Sequence, residues 1–423
     1  MLSKISQIWK AKDLRKNILF VLAMLAIFRL AAHIPIPGVN TAALKEFFGS
    51  NQILGLLNLF SGGGMENFSI VMMGIAPYIT ASIIMQLLGM IIPAMEEMQK
   101  EESGRQKINM YTRYLTVPLA AMQSYAMISL LRSSSFQILG DISTWSLVSM
   151  IITITAGTVF LMWLGELITE KKVGNGISIM IFAGIIAGLP SAIQQIAVTF
   201  DSSQLFTVLG FVAIALATVI GVVVITEGQR NVPVSYAKQI RGNRVYGGTN
   251  THLPLRVNMA GVIPIIFAIS VVMFPPMIAQ FFAQAKSVWI ANSAQWVITT
   301  FNNQFIYGIL YFVLVFAFTY FYTEVIFHPD RMAENLQKQG AFIPGIRPGK
   351  HTEEYLAKTT YKIIFVGALF LSLIAILPLI MRYFTGIQAL AIGGTSLLIV
   401  VAVVIDIVKQ VESQLTMREY EGS

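Results

Sequence analysis

The chain has 423 residues, of which 55% are hydrophobic and only 12% charged. Soluble domains carry about 25% charged residues, so this composition describes a polytopic membrane protein. The absence of cysteine excludes disulfides, thiolate metal sites and cysteine nucleophiles, and a formal charge of +8 bears on nucleic acid or membrane only once its placement is known.

Residues 1–16 set Ile5, Ile8 and Trp9 among Lys4, Lys10, Lys12, Arg15 and Lys16, the pattern of an amphipathic segment lying in the membrane interface. The apolar run that follows is long and lacks a small-residue cleavage pattern, so it predicts a retained first helix rather than a signal peptide. Ten long apolar segments are expected to span the membrane: 18–36, 68–92, 114–131, 145–168, 177–199, 205–225, 259–282, 305–327, 363–381 and 388–408. The expected fold is all-α. Between the first two segments lies an apolar run, 53–60, that is too short to cross a bilayer, followed by Gly62, Gly63 and Gly64. Backbone that leaves helical geometry at membrane depth must be buried in protein or line a wet cavity. The stretch therefore predicts a pathway with a movable piece in its mouth, hinged at the glycines.

With the N-terminus placed in the cytoplasm, 24 of the 29 lysines and arginines fall on that side, which also makes the C-terminus cytoplasmic. Ten helices divide five and five near Ser202 and Ser203. An odd number per half inserts the second half upside down, as in folds built from inverted repeats with the functional site between them. No residue-level self-similarity accompanies that division. Two expected cytoplasmic loops, 227–258 and 328–361, are long, basic and punctuated by proline and glycine; ordered loops of that length are usually functional.

Catalytic chemistry is not legible. Gly349-Lys350 invites a phosphate-loop reading, but Pro344 and His351 stand where that motif needs glycine and a hydroxyl residue. His33, His252, His328 and His351 are scattered, and neither HExxH nor GxSxG occurs, so no enzyme, metal or cofactor is expected. An ion-coupled transporter places an acid or histidine near mid-membrane. Here Glu166, Glu227, Glu324 and Asp406 all lie towards the expected cytoplasmic helix ends, and the helix interiors offer only groups such as Thr80, Ser82 and Gln86, which suit interhelical hydrogen bonds. Ile75 and Ile79 share one helix face, as do Ile181 and Ile185. The pattern suits ordinary packing, but two such faces meeting would make a hydrophobic constriction that closes a pore by excluding water. An inverted-repeat secondary transporter of a small solute is the alternative reading.

Eight motifs occur in order along the chain: LFSGG at 59–63, GIAPYITASII at 74–84, ESGR at 102–105, GNGIS at 174–178, THLPL at 251–255, VNMAGVIP at 257–264, FIPGIRPG at 342–349 and GGTSLLI at 393–399. Together they resemble the SecY family, the central subunit of the bacterial protein-conducting channel. The resemblance implies ten transmembrane helices in two inverted halves, 17–201 and 202–410, around an hourglass pore, with a C-terminal tail at 411–423. It implies a waist of Ile75, Ile79, Ile181, Ile185, Ile266 and Ile399. A plug near 57–67 would include Leu59, Phe60, Gly62, Gly63 and Gly64. A lateral gate between helices two and three and helices seven and eight would carry Thr80, Gln86, Asn258 and Phe274 at its seam. Arg241, Arg244, Arg347 and Lys350 would dock a ribosome or the SecA ATPase motor. The implied function is to move unfolded secretory proteins across the bacterial plasma membrane and to release transmembrane segments and signal peptides laterally into phospholipid, alongside the small subunits SecE and SecG.

Overall fold

A computed structural model describes residues 11–421 except 51–57, 59–60, 134–137, 141, 200–204, 237–238, 242–243, 247–249, 284, 286 and 386–387. In chain order the helices are α1 (Lys12–Ala31), α2 (Thr41–Ser50), α3 (Ala76–Ile91), α4 (Pro93–Lys100), α5 (Glu102–Ser133), α6 (Thr144–Glu170), α7 (Gly176–Thr199), α8 (Leu205–Glu227), α9 (Ile263–Phe282), α10 (Val288–Asn302), α11 (Gln304–Ile326), α12 (Pro329–Lys338), α13 (Lys350–Thr385) and α14 (Gln388–Glu421). Strands β1 (Gln229–Tyr236), β2 (Gln239–Arg241), β3 (Arg244–Tyr246) and β4 (Asn250–Arg256) lie between α8 and α9, and β5 (Ala341–Phe342) precedes α13.

Each of the ten expected apolar segments overlaps a helix. Among the described residues, five helical stretches are long and apolar enough to cross a membrane alone, and α3 with α4 makes a sixth, bent by 110°. The bend falls at Ile92, next to Pro93, a residue that removes a helical donor and clashes with the preceding turn.

The second segment departs from expectation. The helix foreseen from residue 68 starts at Ala76, and residues 61–75 are a chain of turns with one bridge to Pro35. Phe68 and Gly74 take positive φ, of 45° and 56°, which breaks helical geometry. Pro77 then opens α3, where its missing N–H is no loss. Hydropathy registers the apolar content of 68–75 but not its backbone. Gly157 of α6 makes room for this segment, because a Cβ there would lie 1.9 Å from the Ile70 carbonyl oxygen.

Three other expectations shift. α14 runs unbroken to Glu421, through the stretch expected as a C-terminal tail from 411. α10 was not foreseen; it is a short amphipathic helix that exposes Val288, Trp289 and Trp296 and packs on α9. The two long loops are folded together. β1 pairs antiparallel with β4 from Gln229–Arg256 to Ser235–Asn250, and β5 joins its other edge through Ser235–Phe342 and Tyr236–Ala341. Alternate residues of β1, Val232 and Val234, turn inward against Leu255, Ala341, Ile343 and Leu356 to close a small separate core. The amphipathic stretch expected at 1–16 lies outside the described residues up to position 10, and α1 takes over at Lys12.

α9 packs against both α3 and α5, and α14 packs against α7. These contacts join helices from the first and second five on two sides of one large apolar core.

Candidate functional site

Six isoleucines from four regions belong to that core. Ile75 precedes α3 and Ile79 lies in its first turn. Ile181 and Ile185 come from α7, Ile266 from α9 and Ile399 from α14. All six belong to one contiguous buried cluster, with exposures from 0% at Ile181 to 8% at Ile79. The pairs at spacing four present both members to the same side, as helical geometry requires. Branched aliphatic side chains offer no hydrogen-bonding partner. A layer of them excludes water and ions without binding anything that displaces it.

Within this region lies a small cleft lined by Ile75, Ile79 and Ile266, Thr80 of α3 and Phe274 of α9. Ser61 reaches it from the turn segment, and Met73, Met273 and Met277 add flexible apolar walls. One space is thus lined by three of the isoleucines expected at a waist, by Thr80 and Phe274, both expected at a seam, and by Ser61 of the turn segment.

Gln86 and Asn258 are not among that lining. Gln86 donates to Ser82 of its own helix at 3.0 Å, and Asn258 donates to the Gly261 carbonyl three residues on at 3.3 Å. Thr80 donates back to Ala76 at 3.0 Å. Thr80 and Gln86, expected to bond between helices, donate instead within their own helix. The α3–α9 seam is held by apolar packing. The buried side-chain oxygens of Gln86, Asn258 and Gln123 have no protein partner, so the seam keeps polar capacity in reserve. Sequence reading missed Gln123. A lone amide in the apolar run of α5 was the signal, and it sits in the cleft wall.

The turn segment is compact. Ser61 donates to the Asn58 carbonyl at 2.9 Å and accepts from Met65 N–H at 3.2 Å, while the Asn58 side chain accepts from Glu66 N–H at 3.0 Å. Gly62 and Gly63 take φ of 67° and 80°, the left-handed region glycine enters without steric penalty. The backbone N–H groups of Gly63, Gly64, Met65 and Glu66 thus all find partners within the segment. Leu59 and Phe60, with most of the short apolar run, lie outside the described residues.

At the sheet-bearing end, Arg347 and Lys350 are exposed. The loop carrying them is fixed: Ile346 N–H donates to Ile343, and the Thr352 hydroxyl donates to the Arg347 carbonyl at 2.9 Å. Arg241 and Arg244 are direct register partners in the β2–β3 hairpin; their side chains lie outside the described part. Glu166 and Glu227, considered as ion-coupling acids, pair instead with Arg113 at 2.7 Å and Lys409 at 2.8 Å.

A family model described as SecY matches residues 69–408. The protein translocase subunit SecY of Halalkalibacterium halodurans is 46% identical over 433 residues, spanning 100% of this chain and 99% of that protein. The subunit of the same name from Streptomyces galbus is 43% identical over 437 residues, again with 100% and 99% covered. Among solved structures, one described as a protein conducting channel aligns with a TM-score of 0.62 at 18% identity, covering 93% of this chain and 91% of its own. Sec61 in the canine ribosome-channel complex aligns at 0.60 and 16% identity, with 93% and 91% covered. At such identities the structures speak to the fold.

Proposed function

Since this chain belongs to the SecY family, we propose that it is the central channel subunit of a protein translocase in the bacterial plasma membrane. It moves unfolded secretory proteins across the bilayer and releases transmembrane segments sideways into lipid. The observation that supports the reading is that Ile75, Ile79, Ile181, Ile185, Ile266 and Ile399 all belong to one buried apolar core, in which α9 packs against α3 and α5.

Cargo of arbitrary sequence requires a seal without specific partners, because tight binding at any point would stall it. An aliphatic ring meets that requirement: it closes on itself by excluding water and re-forms around whatever side chain passes. Residues 61–67 serve as the plug on the outer side of the ring. The seam between α3 and α5 on one side and α9 on the other serves as the lateral gate, with α11 behind α9. A signal helix of about 20 apolar residues partitions through it because lipid suits those residues better than the pore.

The first five and last five long helices act as two inverted halves, with the sheet-bearing end in the cytoplasm. The clustering of lysine and arginine supports that orientation. The folded sheet presents Arg347, Lys350 and the Arg241–Arg244 hairpin to SecA or a ribosome, and the outer flanks of the bundle accommodate SecE and SecG. Nothing in the sequence resembles a nucleotide site, so the motor, the translating ribosome and the membrane potential supply the work.

Reconstitution of the chain with SecE, SecG and SecA tests this. ATP-dependent uptake of an unfolded precursor into vesicles is the expected result. Vesicles that take up a small solute but no precursor would instead favour a secondary transporter.

A further inference from the structure

The outer end of α1 grips the turn segment in two chemically different ways. Beyond the glycines the grip is backbone to backbone: Ile36 N–H donates to the Phe68 carbonyl at 2.9 Å and Ile70 N–H to the Ile34 carbonyl at 3.1 Å. The Asn67 side chain adds a contact to the Ala32 carbonyl at 3.4 Å. At the glycine turn the grip comes from side chains alone. The Arg29 guanidinium donates through Nη1 to the Gly62 carbonyl oxygen. The ring of Phe28, itself 1% exposed, lies so close to Gly62 that a Cβ there would come within 2.7 Å of it.

We propose that Arg29 is a releasable latch that holds the glycine turn over the waist, while the pairing at 67–70 is the fixed anchor about which the turn swings. The inference rests on the plug reading given above. Arg29 occupies the last turn of α1, where the helix dipole favours a cation and helps keep the charge in place. A charged donor to a single carbonyl is strong enough to immobilise a turn, and it can be lost without unpairing any backbone. The left-handed φ of Gly62 and its lack of a side chain let the ring and the guanidinium approach together. The glycines are accordingly the part that is held, and release of the turn also loosens the Ser69 N–H bond to the Gly64 carbonyl, at 2.9 Å, that ties it to the anchor. Arg29 is a positioning residue; it need not touch the cargo.

The chain contains no cysteine, so one introduced thiol reports alone. Ser61 is 2% exposed and lines the cleft beneath the turn, and Ser61→Cys changes its size little. In the reconstituted complex, a membrane-impermeant maleimide added from the outer side should label this cysteine slowly. Adding Arg29→Gln should speed labelling by at least about tenfold, as loss of a hydrogen bond to a charged group implies. Arg29→Lys, which keeps the charge but not the fork, should give an intermediate rate. Equal rates in the parent and the Gln variant would overturn the latch. Should the Gln variant fail to insert, the Lys variant carries the test: labelling faster than the parent supports the latch and labelling at the parent's rate overturns it. Deleting residues 57–67 and measuring resting ion conductance judges the plug separately. An unchanged seal there would sink the plug reading, while the labelling ratio would still decide whether Arg29 restrains the turn.

Discussion

The waist and the sheet-bearing platform solve opposite problems with opposite materials. The proposed waist is six isoleucines from four separate regions of one buried core, whose side chains can form no hydrogen bond and have no register to keep. The platform is a three-stranded sheet with fixed pairing from Gln229–Arg256 to Tyr236–Ala341 and its own small core. A seal that must yield to any sequence gains from having no preferred partner. A docking surface must hold charged groups in one place. Permissiveness comes from aliphatic side chains, and specificity from backbone pairing.

That contrast can be broken most severely at the waist. Ile79→Asn or Ile266→Asn puts an amide into a water-excluding layer, and wetting should raise resting ion conductance on the order of tenfold or more in planar bilayers. Unchanged conductance would remove those residues from the seal. At the platform, Leu356→Ala empties a fully buried position of the small core. A loss of about 2–5 kcal/mol of local stability is expected. Limited proteolysis around Arg241 and Arg244 should accelerate, with the helical content of the membrane domain unaltered.

Arg347→Glu tests the surface without disturbing its frame, because the residue is exposed while its backbone carbonyl is held by Thr352. SecA-driven export should fall several-fold, with thermal stability and small-subunit binding retained. Normal motor affinity together with normal export would reassign the docking site. The smallest effect is expected where both environments meet water. Glu227→Gln removes the pair with Lys409, whose side chains are 50% and 26% exposed. Such a pair contributes about 0–1 kcal/mol, so the melting temperature should barely move.

The parts of this molecule that follow a period were legible in its sequence. Ten apolar runs marked ten helices, and the i, i+4 spacing of Ile75 with Ile79 and Ile181 with Ile185 placed each pair on one face. That Ile266 and Ile399 share a buried core with those four could not be read from periodicity, because residues so far apart in the chain share no local pattern. The resemblance supplied them. Residues 68–75 misled because hydropathy does not distinguish an apolar turn from an apolar helix; Phe68 at positive φ is a backbone fact with no compositional trace. The union of the two long loops was hidden for a similar reason. β5 is two residues long and is a strand only because β1 offers it an edge. The hydroxyl of Thr80 and the amide of Gln86 were assigned to neighbouring helices, but each reaches a partner one turn away at no entropic cost of docking. α10 was passed over because its apolar stripe is narrow, although Trp289 and Trp296, seven apart, mark one face.

The base of the hairpin has a mechanical consequence. Val257 N–H donates to the Gly228 carbonyl at 2.9 Å, so the end of α8 and the approach to α9 are clamped where the strands begin. Behind that clamp, Gly367 of α13 comes so near that a Cβ there would lie 2.6 Å from the Val257 carbonyl. The β1–β4 pair is therefore braced at its base. That base, at Arg256, lies seven residues before Ile263, where α9 begins. A sideways load on this pair would then act on the start of α9, one of the helices proposed to border the lateral gate.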